Sequence, residues 1–131
     1  MSHFTQVKTA ITNVTQLKKA LKAMGHTVVE GENGAAVEVR GFFEESQTAD
    51  FKILTSTKYD IGFKQSVDGS YEVVGDWELL PKVSSIDQED FHKSLRREYA
   101  KQVVLGIAKD RGYEVQCHET ENGTEMVVSQ G

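Results

Sequence analysis

Apolar residues recur every three or four positions in two segments of the chain, which is the spacing of the buried side of a helix. In the first segment they are Val14, Leu17, Leu21 and Met24. Asn13, followed three residues later by Gln16, forms a capping-box pattern, and Gly25 suits the left-handed position that ends a helix. In the second segment they are Phe91, Leu95, Tyr99, Val103 and Ile107. We therefore predict two amphipathic helices, the second capped by Ser85 or Asp87.

The two ends of the chain repeat one pattern, in which a helix, a glycine, a short apolar strand, an Asn-Gly pair and a second strand follow one another. The pairs are Asn33-Gly34 and Asn122-Gly123, and Asn-Gly favours the two-residue turn of a β-hairpin. Each end therefore predicts a helix followed by a hairpin. We also predict strands at His3–Ala10 and around Phe51, and a loop in the polar segment from Gly41 to Thr48.

Alternating apolar and polar residues between positions 59 and 77 predict a central hairpin, for which two loops compete. A two-residue turn at Asp68-Gly69 would place apolar residues opposite charged ones. A three-residue loop, 67–69, pairs Phe63 with Val73 and keeps one face of the hairpin apolar. We therefore predict the three-residue loop, with Gly69 in the left-handed bulge position.

These elements predict an α+β fold in the order β-α-β-β-β-β-β-α-β-β. Because the strands are joined by tight turns and their exposed faces are charged, we expect a mostly antiparallel sheet with both helices on one face. At 131 residues, we expect residues 1–131 to form a single domain. The strand order and the oligomeric state are left open.

Composition narrows the class of protein without identifying a function. The chain is 38% hydrophobic and 27% charged, with a net charge of −5, which is typical of a globular protein and argues against general nucleic-acid binding. No apolar run approaches the roughly 18 residues of a membrane-spanning helix. A single cysteine, Cys117, forms no internal disulfide, so we expect a reducing compartment, either the cytoplasm or a plastid stroma.

The predicted central hairpin places Asp60 directly opposite Asp76 on its polar face. Opposed residues in an antiparallel pair have Cβ atoms about 5 Å apart, and two like charges there are destabilising. The carboxylates therefore need a cation, a shared proton or water between them. Arg40 or Lys52 on neighbouring strands would supply a cation, which makes the pair structural; a divalent metal with oxygen ligands, such as magnesium, calcium or manganese, would make it functional.

Other candidate chemistry is weaker. Cys117 alternates in phase with Val115 and is expected to point into the core opposite Val128, as a small hydrophobic residue. The four histidines have no zinc-ligand spacing. No glycine-rich phosphate loop precedes a helix, so no cofactor is predicted.

A partner contact is predicted at exposed aromatic and basic residues. Phe42 and Phe43 are consecutive in a predicted loop, so we expect at least one ring to be exposed, and Arg40 is close to them in the sequence. The helices add basic side chains on their solvent faces. The predicted contact residues are Arg40, Phe42, Phe43, Lys18, Lys22 and Arg97.

Four segments resemble one family. They are Met1–Thr5, Val39–Phe42, Tyr59–Phe63 and Tyr71–Asp76. In this order they resemble the family called hypothetical chloroplast reading frame thirty-five, found in cyanobacteria and some algal plastids. The resemblance implies a photosynthetic lineage, or a virus or bacterium sharing its genes, but no activity, because the family has no assigned biochemical role.

Three functions follow from these observations. The leading hypothesis is an accessory or adaptor protein of cyanobacterial or plastid type that binds another protein through its sheet edge, the Phe42-Phe43 loop or its basic helices, without catalysis. The second is a small metal-dependent enzyme or cation-binding module that uses Asp60 and Asp76. The third is an RNA-binding module that uses the basic helix faces, for which affinity would fall steeply with salt.

Overall fold

The predicted α+β class is confirmed. The computed structural model describes residues 4–41 and 46–130. Within them lie nine strands and three helices, which in chain order are β1 (Thr5–Lys8), α1 (Val14–Ala23), β2 (Val28–Glu30), β3 (Val37–Arg40), β4 (Ser46–Ala49), β5 (Phe51–Leu54), β6 (Asp60–Gln65), β7 (Tyr71–Gly75), α2 (Leu80–Val83), α3 (Gln88–Asp110), β8 (Tyr113–Thr120) and β9 (Gly123–Gln130). No helix among these residues is long and apolar enough to cross a membrane.

Five strands form the main antiparallel sheet, in the order β1-β7-β6-β5-β2. Alternate residues of these strands, including Phe51, Ile61, Phe63 and Val73, are buried in one core with residues of α1 and α3. Phe51 and Phe63 are directly paired and stack with ring centroids 5.0 Å apart. Both long helices therefore pack on the same face of the sheet, as predicted.

Both predicted helix starts are confirmed. The side chain of Asn13 accepts a hydrogen bond from the Gln16 N–H at 3.1 Å, and that of Asp87 accepts one from the Asp90 N–H at 3.0 Å. These bonds satisfy backbone donors that have no partner inside a helix. Gly25, just after α1, has a φ of 90°, which a side chain would disfavour.

The central hairpin has the predicted register. Phe63 pairs with Val73 and Lys64 with Glu72. The Ser66 N–H donates to the Ser70 carbonyl at 2.8 Å, which closes a three-residue loop, and Gly69 has a φ of 90°. Since only this register buries an apolar face, the pattern alone was sufficient to predict it.

The opposite face of the sheet is covered by a second layer that the sequence did not predict. β3 and β4 form their own hairpin, so the predicted loop from Gly41 to Thr48 is wrong from Ser46 onward. This hairpin lies over Gly62 of β6, where an added Cβ would be 2.4 Å from Val39 Cγ2 and 3.0 Å from Ala49 Cβ. The glycine therefore provides the space that the second layer occupies.

The predicted Asn33-Gly34 hairpin is wrong. Asn33 and Gly34 have φ values of 54° and 77°, as the dipeptide favours, but they lie in a single turn of 3-10 helix at Glu32–Gly34. The strands on either side pair elsewhere, β2 with β5 and β3 with β4. A turn preference fixes local backbone conformation and does not determine which strands pair.

The C-terminal hairpin exists but differs in register from the prediction. Thr120 pairs with Gly123, so Glu121 and Asn122 form the turn, and Cys117 pairs with Met126 rather than Val128. The prediction that Cys117 lies in the core is also wrong, because its side chain is exposed. β8 and β9 form a separate two-stranded sheet beside α3, and a ribbon covered on one side only cannot bury its whole length.

Candidate functional site

Asp60 accepts hydrogen bonds from several cationic donors although its side chain is fully buried. Its Oδ2 atom accepts from the Arg40 backbone N–H, Arg40 Nε and Lys52 Nζ, each at 2.9 Å. Its Oδ1 atom accepts from Arg40 Nη2 at 2.8 Å. Lys52 also donates to the Glu38 carbonyl at 2.7 Å. The sequence predicted, as one alternative, that Arg40 or Lys52 neutralises the carboxylate. At Asp60 both residues do so.

The fold brings these three residues together. Asp60 and Gly62 alternate onto the same face of β6, the face that the β3–β4 hairpin covers. Arg40 is the last residue of β3, and Lys52 is paired with Gly62 in the neighbouring strand β5. The Asp60 carboxylate therefore joins β3 of the second layer to β5 and β6 of the main sheet.

Burial alone would raise the pKa of Asp60. The hydrogen bonds from the side chain and backbone of Arg40 and from Lys52 outweigh that effect, and the pKa is lowered. Asp60 is therefore ionised near neutral pH and is neutralised by two cations, an arrangement suited to holding two layers together.

Asp76 is also buried, with 1% of its surface exposed. Its Oδ1 atom accepts a hydrogen bond from the Leu79 N–H at 3.2 Å, in the turn that leads to α2. The pairs of the β6–β7 ladder end at Gly62 and Val74, two residues before the aspartates. Among residues 4–41 and 46–130, no three histidine, cysteine, aspartate or glutamate side chains are grouped as metal ligands. A metal site at Asp60 and Asp76 stays a prediction.

The predicted partner-contact residues have different environments. Arg40 binds Asp60 and remains 47% exposed, whereas Phe42 and Phe43 lie outside the described residues. Lys18 forms an ion pair with Glu30 and also lies over the Phe51 ring. Lys22 on α1 and Arg97 on α3 are exposed. These positions belong to three different elements, and whether they contact a partner stays a prediction.

Sequence reasoning missed a cavity of about 650 Å³ between the first strand and the N-terminal half of α3. Val7, Ile11 and Leu95 contribute apolar lining, and His92 and Arg96 contribute polar lining. The side chain of His92 is 8% exposed, and its Nε2 atom has no hydrogen-bond partner among the described residues. The helical stripe predicted that Leu95 is buried, but no sequence signal indicated that β1 lies at the sheet edge.

A second surface missed from the sequence lies at the C-terminal end. Ile107 near the end of α3 and Val127 and Val128 of β9 are 50%, 46% and 45% exposed. We call these three residues the C-terminal surface. The ion pair of Lys101 with Glu119, at 4.0 Å, shows that β8 returns alongside α3.

The chain matches a family model described as a protein of unknown function, DUF1257, over residues 20–128. The chain belongs to this family. The chain is similar to the uncharacterized protein ycf35 of Cyanophora paradoxa. The two are 31% identical over 115 residues, which cover 87% of this chain and 84% of the relative. The protein of the same name from Guillardia theta is 30% identical over 113 residues, covering 86% and 83%. The family resemblance found in the sequence is thus confirmed, and the matched region contains Arg40, Lys52 and Asp60. No solved structure matches the chain significantly.

Proposed function

We propose that this member of the DUF1257 family is an accessory protein that binds another protein and does not itself catalyse a reaction. The observation that carries this proposal is the C-terminal surface. Of the large apolar side chains that are exposed in the described part of the chain, three belong to it: Ile107, Val127 and Val128. Ile107 is on α3 and the two valines are on the ribbon beside it, and exposed apolar side chains on adjoining elements support a protein-binding role.

The ribbon formed by β8 and β9, which carries Val127 and Val128, is covered by other elements on one side only. A two-stranded hairpin is marginally stable in water unless another element packs on it. Here α3 covers one side, while alternation places Val127 on the other side, away from Val128. A partner that packs on the uncovered side would bury Val127 and stabilise the ribbon.

The relatives bear the name of a chloroplast reading frame, and we propose the cytoplasm or a plastid stroma as the compartment.

The test is affinity purification from the native host at physiological salt, with three forms of the chain. Wild type is expected to recover one partner in stoichiometric amount. The double variant Val127→Lys, Val128→Lys is expected to lose that partner, because the charge at position 127 would be buried at the interface. The matched control is Val67→Lys, since Val67 is fully exposed in the loop between β6 and β7. The absence of any stoichiometric partner, or equal recovery by the double variant, would contradict the proposal.

A second candidate is a cation-binding module that uses Asp60 and Asp76. Its support is that both carboxylates are buried, with Asp60 at the start of β6 and Asp76 directly after the neighbouring strand β7. Calorimetric titration with magnesium, calcium and manganese tests it, because binding should release heat in wild type and not in Asp76→Asn. Equal heat from both proteins, or none from wild type, would exclude this function.

A further inference from the structure

The cavity beside β1 is a groove with a strand edge on one side and a helix on the other. β1 is the edge strand of the main sheet and, within residues 4–41 and 46–130, pairs only with β7. Its other edge faces the groove, whose opposite wall is the first turns of α3 with Gln88, His92 and Arg96. An open strand edge next to a groove is an arrangement to which extended peptides bind by adding a strand.

The hydrogen bonds of β1 show which backbone groups are available. The Thr9 N–H donates to the Tyr71 carbonyl at 3.2 Å, and Val7 pairs with Val73 two residues earlier. In an antiparallel ladder, alternate residues point their N–H and C=O groups toward the neighbouring strand. Thr9 and Val7 therefore face β7, whereas Gln6 and Lys8 direct their backbone groups outward.

The position of Lys8 agrees with this assignment. Alternation places the Lys8 side chain, with that of its partner Glu72, on the face of the sheet opposite to Val7 and the helices. Lys8 nevertheless lines the groove. We therefore infer that Lys8 borders the cavity through its backbone rather than through its ammonium group.

His92 supplies an unsatisfied polar group on the other wall. The residue is more than nine-tenths buried, lines the groove, and contacts the rings of Trp77 and Phe91 at centroid distances of 5.8 and 5.9 Å. Its Nε2 atom has no partner among the described residues. Since buried polar atoms are almost always hydrogen-bonded, an unpartnered one on a groove wall is available to a hydrogen-bonding group of a ligand.

Charges along the groove favour a ligand that carries both signs. Glu89 and Arg96 line the same wall and are seven residues apart on α3, which corresponds to about 10 Å. In an extended chain this distance spans two to four residues. Apolar lining from Val7, Ile11 and Leu95 between the backbone edge and the helix suits an apolar side chain.

We propose that this groove binds an extended peptide segment of a partner protein, which pairs with the outer edge of β1 through Gln6 and Lys8. The segment places an apolar side chain against Val7 and Leu95 and a hydrogen-bonding group at His92. It carries a basic and an acidic residue, two to four positions apart, opposite Glu89 and Arg96. This site presupposes the binding role proposed above, but it shares no residue with the C-terminal surface.

The experiment is selection of random peptides displayed on phage, with the full-length chain as bait, followed by fluorescence polarisation of the recovered peptides. Lys8→Pro is the decisive variant. Proline removes an N–H that points away from β7, so the β1–β7 ladder is retained, while peptide pairing is lost. We expect affinity to fall about tenfold or more. Lys8→Ala keeps the N–H and is the matched control, for which wild-type affinity is expected.

Hydrogen exchange of backbone amides provides a measurement that does not depend on the proline variant folding. In wild type, bound peptide should slow exchange at Gln6 and Lys8 and leave Val127 and Val128 unchanged. The double variant Val127→Lys, Val128→Lys should bind the same peptides as tightly as wild type, which separates this site from the C-terminal surface.

Four results would overturn this site. They are failure to select any peptide, equal affinity of Lys8→Pro and wild type, unchanged exchange at Gln6 and Lys8, and self-association of wild type that Lys8→Pro abolishes. The last result would mean that a second copy of the chain occupies the groove edge. If the double variant at Val127 and Val128 lost the native partner while one of these four results was obtained, the proposed function would be supported and the peptide site in the groove would be excluded.

Discussion

Asp60 is a single residue that joins the two layers of the fold, through its hydrogen bonds with Arg40 and Lys52. We expect Asp60→Asn to lower the free energy of unfolding by about 3 kcal/mol. The reason is that asparagine removes the negative charge and leaves the ammonium group of Lys52, whose side chain is only 14% exposed, without a counterion. Chemical denaturation with urea, followed by the tryptophan fluorescence of Trp77, measures the change.

The matched control for this prediction is Glu114→Gln, which makes the same kind of substitution at an exposed position of β8. It should change the unfolding free energy by no more than about 0.5 kcal/mol. If Asp60→Asn behaved like this control, the hydrogen bonds from Arg40 and Lys52 would contribute nothing measurable to stability.

The residues around Asp60 show how far sequence reasoning could reach at this scale. The alternation in β6 predicted that Asp60 lies on the face away from the helices, and the need to neutralise a carboxylate there named Arg40 and Lys52. The same reasoning failed for Cys117, which is exposed. Alternation with apolar neighbours predicts only which side of the strand a residue faces. It does not predict whether another element covers that side.

Gly62 tests the contact between two elements, the strand β6 and the β3–β4 hairpin. Gly62→Ala is expected to destabilise the protein by about 1–3 kcal/mol, because its Cβ would lie 2.4 Å from Val39 Cγ2. Val39→Ala removes that methyl group and by itself creates a cavity in a buried position. In the double variant the new Cβ occupies part of that cavity, so we expect the loss to be smaller than the sum of the two single losses.

Urea denaturation of the four proteins in this double-mutant cycle measures the coupling. Additive losses would show that Gly62 and Val39 do not contact each other. A control at Gly75 is suitable, because an added Cβ there meets Trp77 Nε1 at 3.4 Å, an ordinary van der Waals distance. Gly75→Ala is therefore expected to cost less than Gly62→Ala.

Elements defined by local signals were predicted from the sequence, and those defined by distant pairing were not. The caps at Asn13 and Asp87 and the helical spacing identified α1 and α3, and the apolar face determined the three-residue loop that ends at Gly69. By contrast, β4 lies in a polar segment without alternation and exists because it pairs with β3. Asn33 and Gly34 adopted the backbone conformation that their types favour, but the strands on either side found partners elsewhere in the chain.

At the scale of the whole molecule, the C-terminal ribbon is expected to open before the main sheet. β6 lies between two neighbouring strands and is covered on both faces, whereas β8 and β9 form a two-stranded sheet with many exposed residues. Sparse burial lowers the free energy of local opening. Backbone amide hydrogen exchange should therefore be faster in β8 and β9 than at Ile61 and Phe63. Equal protection of the two sheets would mean that the ribbon unfolds only with the whole chain.

The unfolding free energy of the whole molecule is expected to fall in two stages as the pH decreases. Burial lowers the pKa of His26, and burial followed by the charge of Arg96 lowers the pKa of His92, both from an ordinary value of 6.5. The unfolded chain then binds protons more readily than the folded chain, so stability declines below pH 6.5. The pKa of Asp60 is also lowered, as are those of Asp68, by hydrogen bonds from Ser66 and Ser70, and of Glu30, by a hydrogen bond from Lys18. These carboxyls give a second decline, which begins as the pH falls through their ordinary values.

Urea midpoints measured between neutral and acidic pH test the first stage. Replacing both His26 and His92 by glutamine should flatten the decline just below pH 6.5 and leave the more acidic decline in place, since that decline belongs to the carboxyls of Asp60, Asp68 and Glu30. His118→Gln, which replaces an exposed histidine on the C-terminal ribbon, is the matched control and should retain the wild-type profile. If the double histidine variant kept the full slope below pH 6.5, the two buried imidazoles would not be the source of that pH dependence.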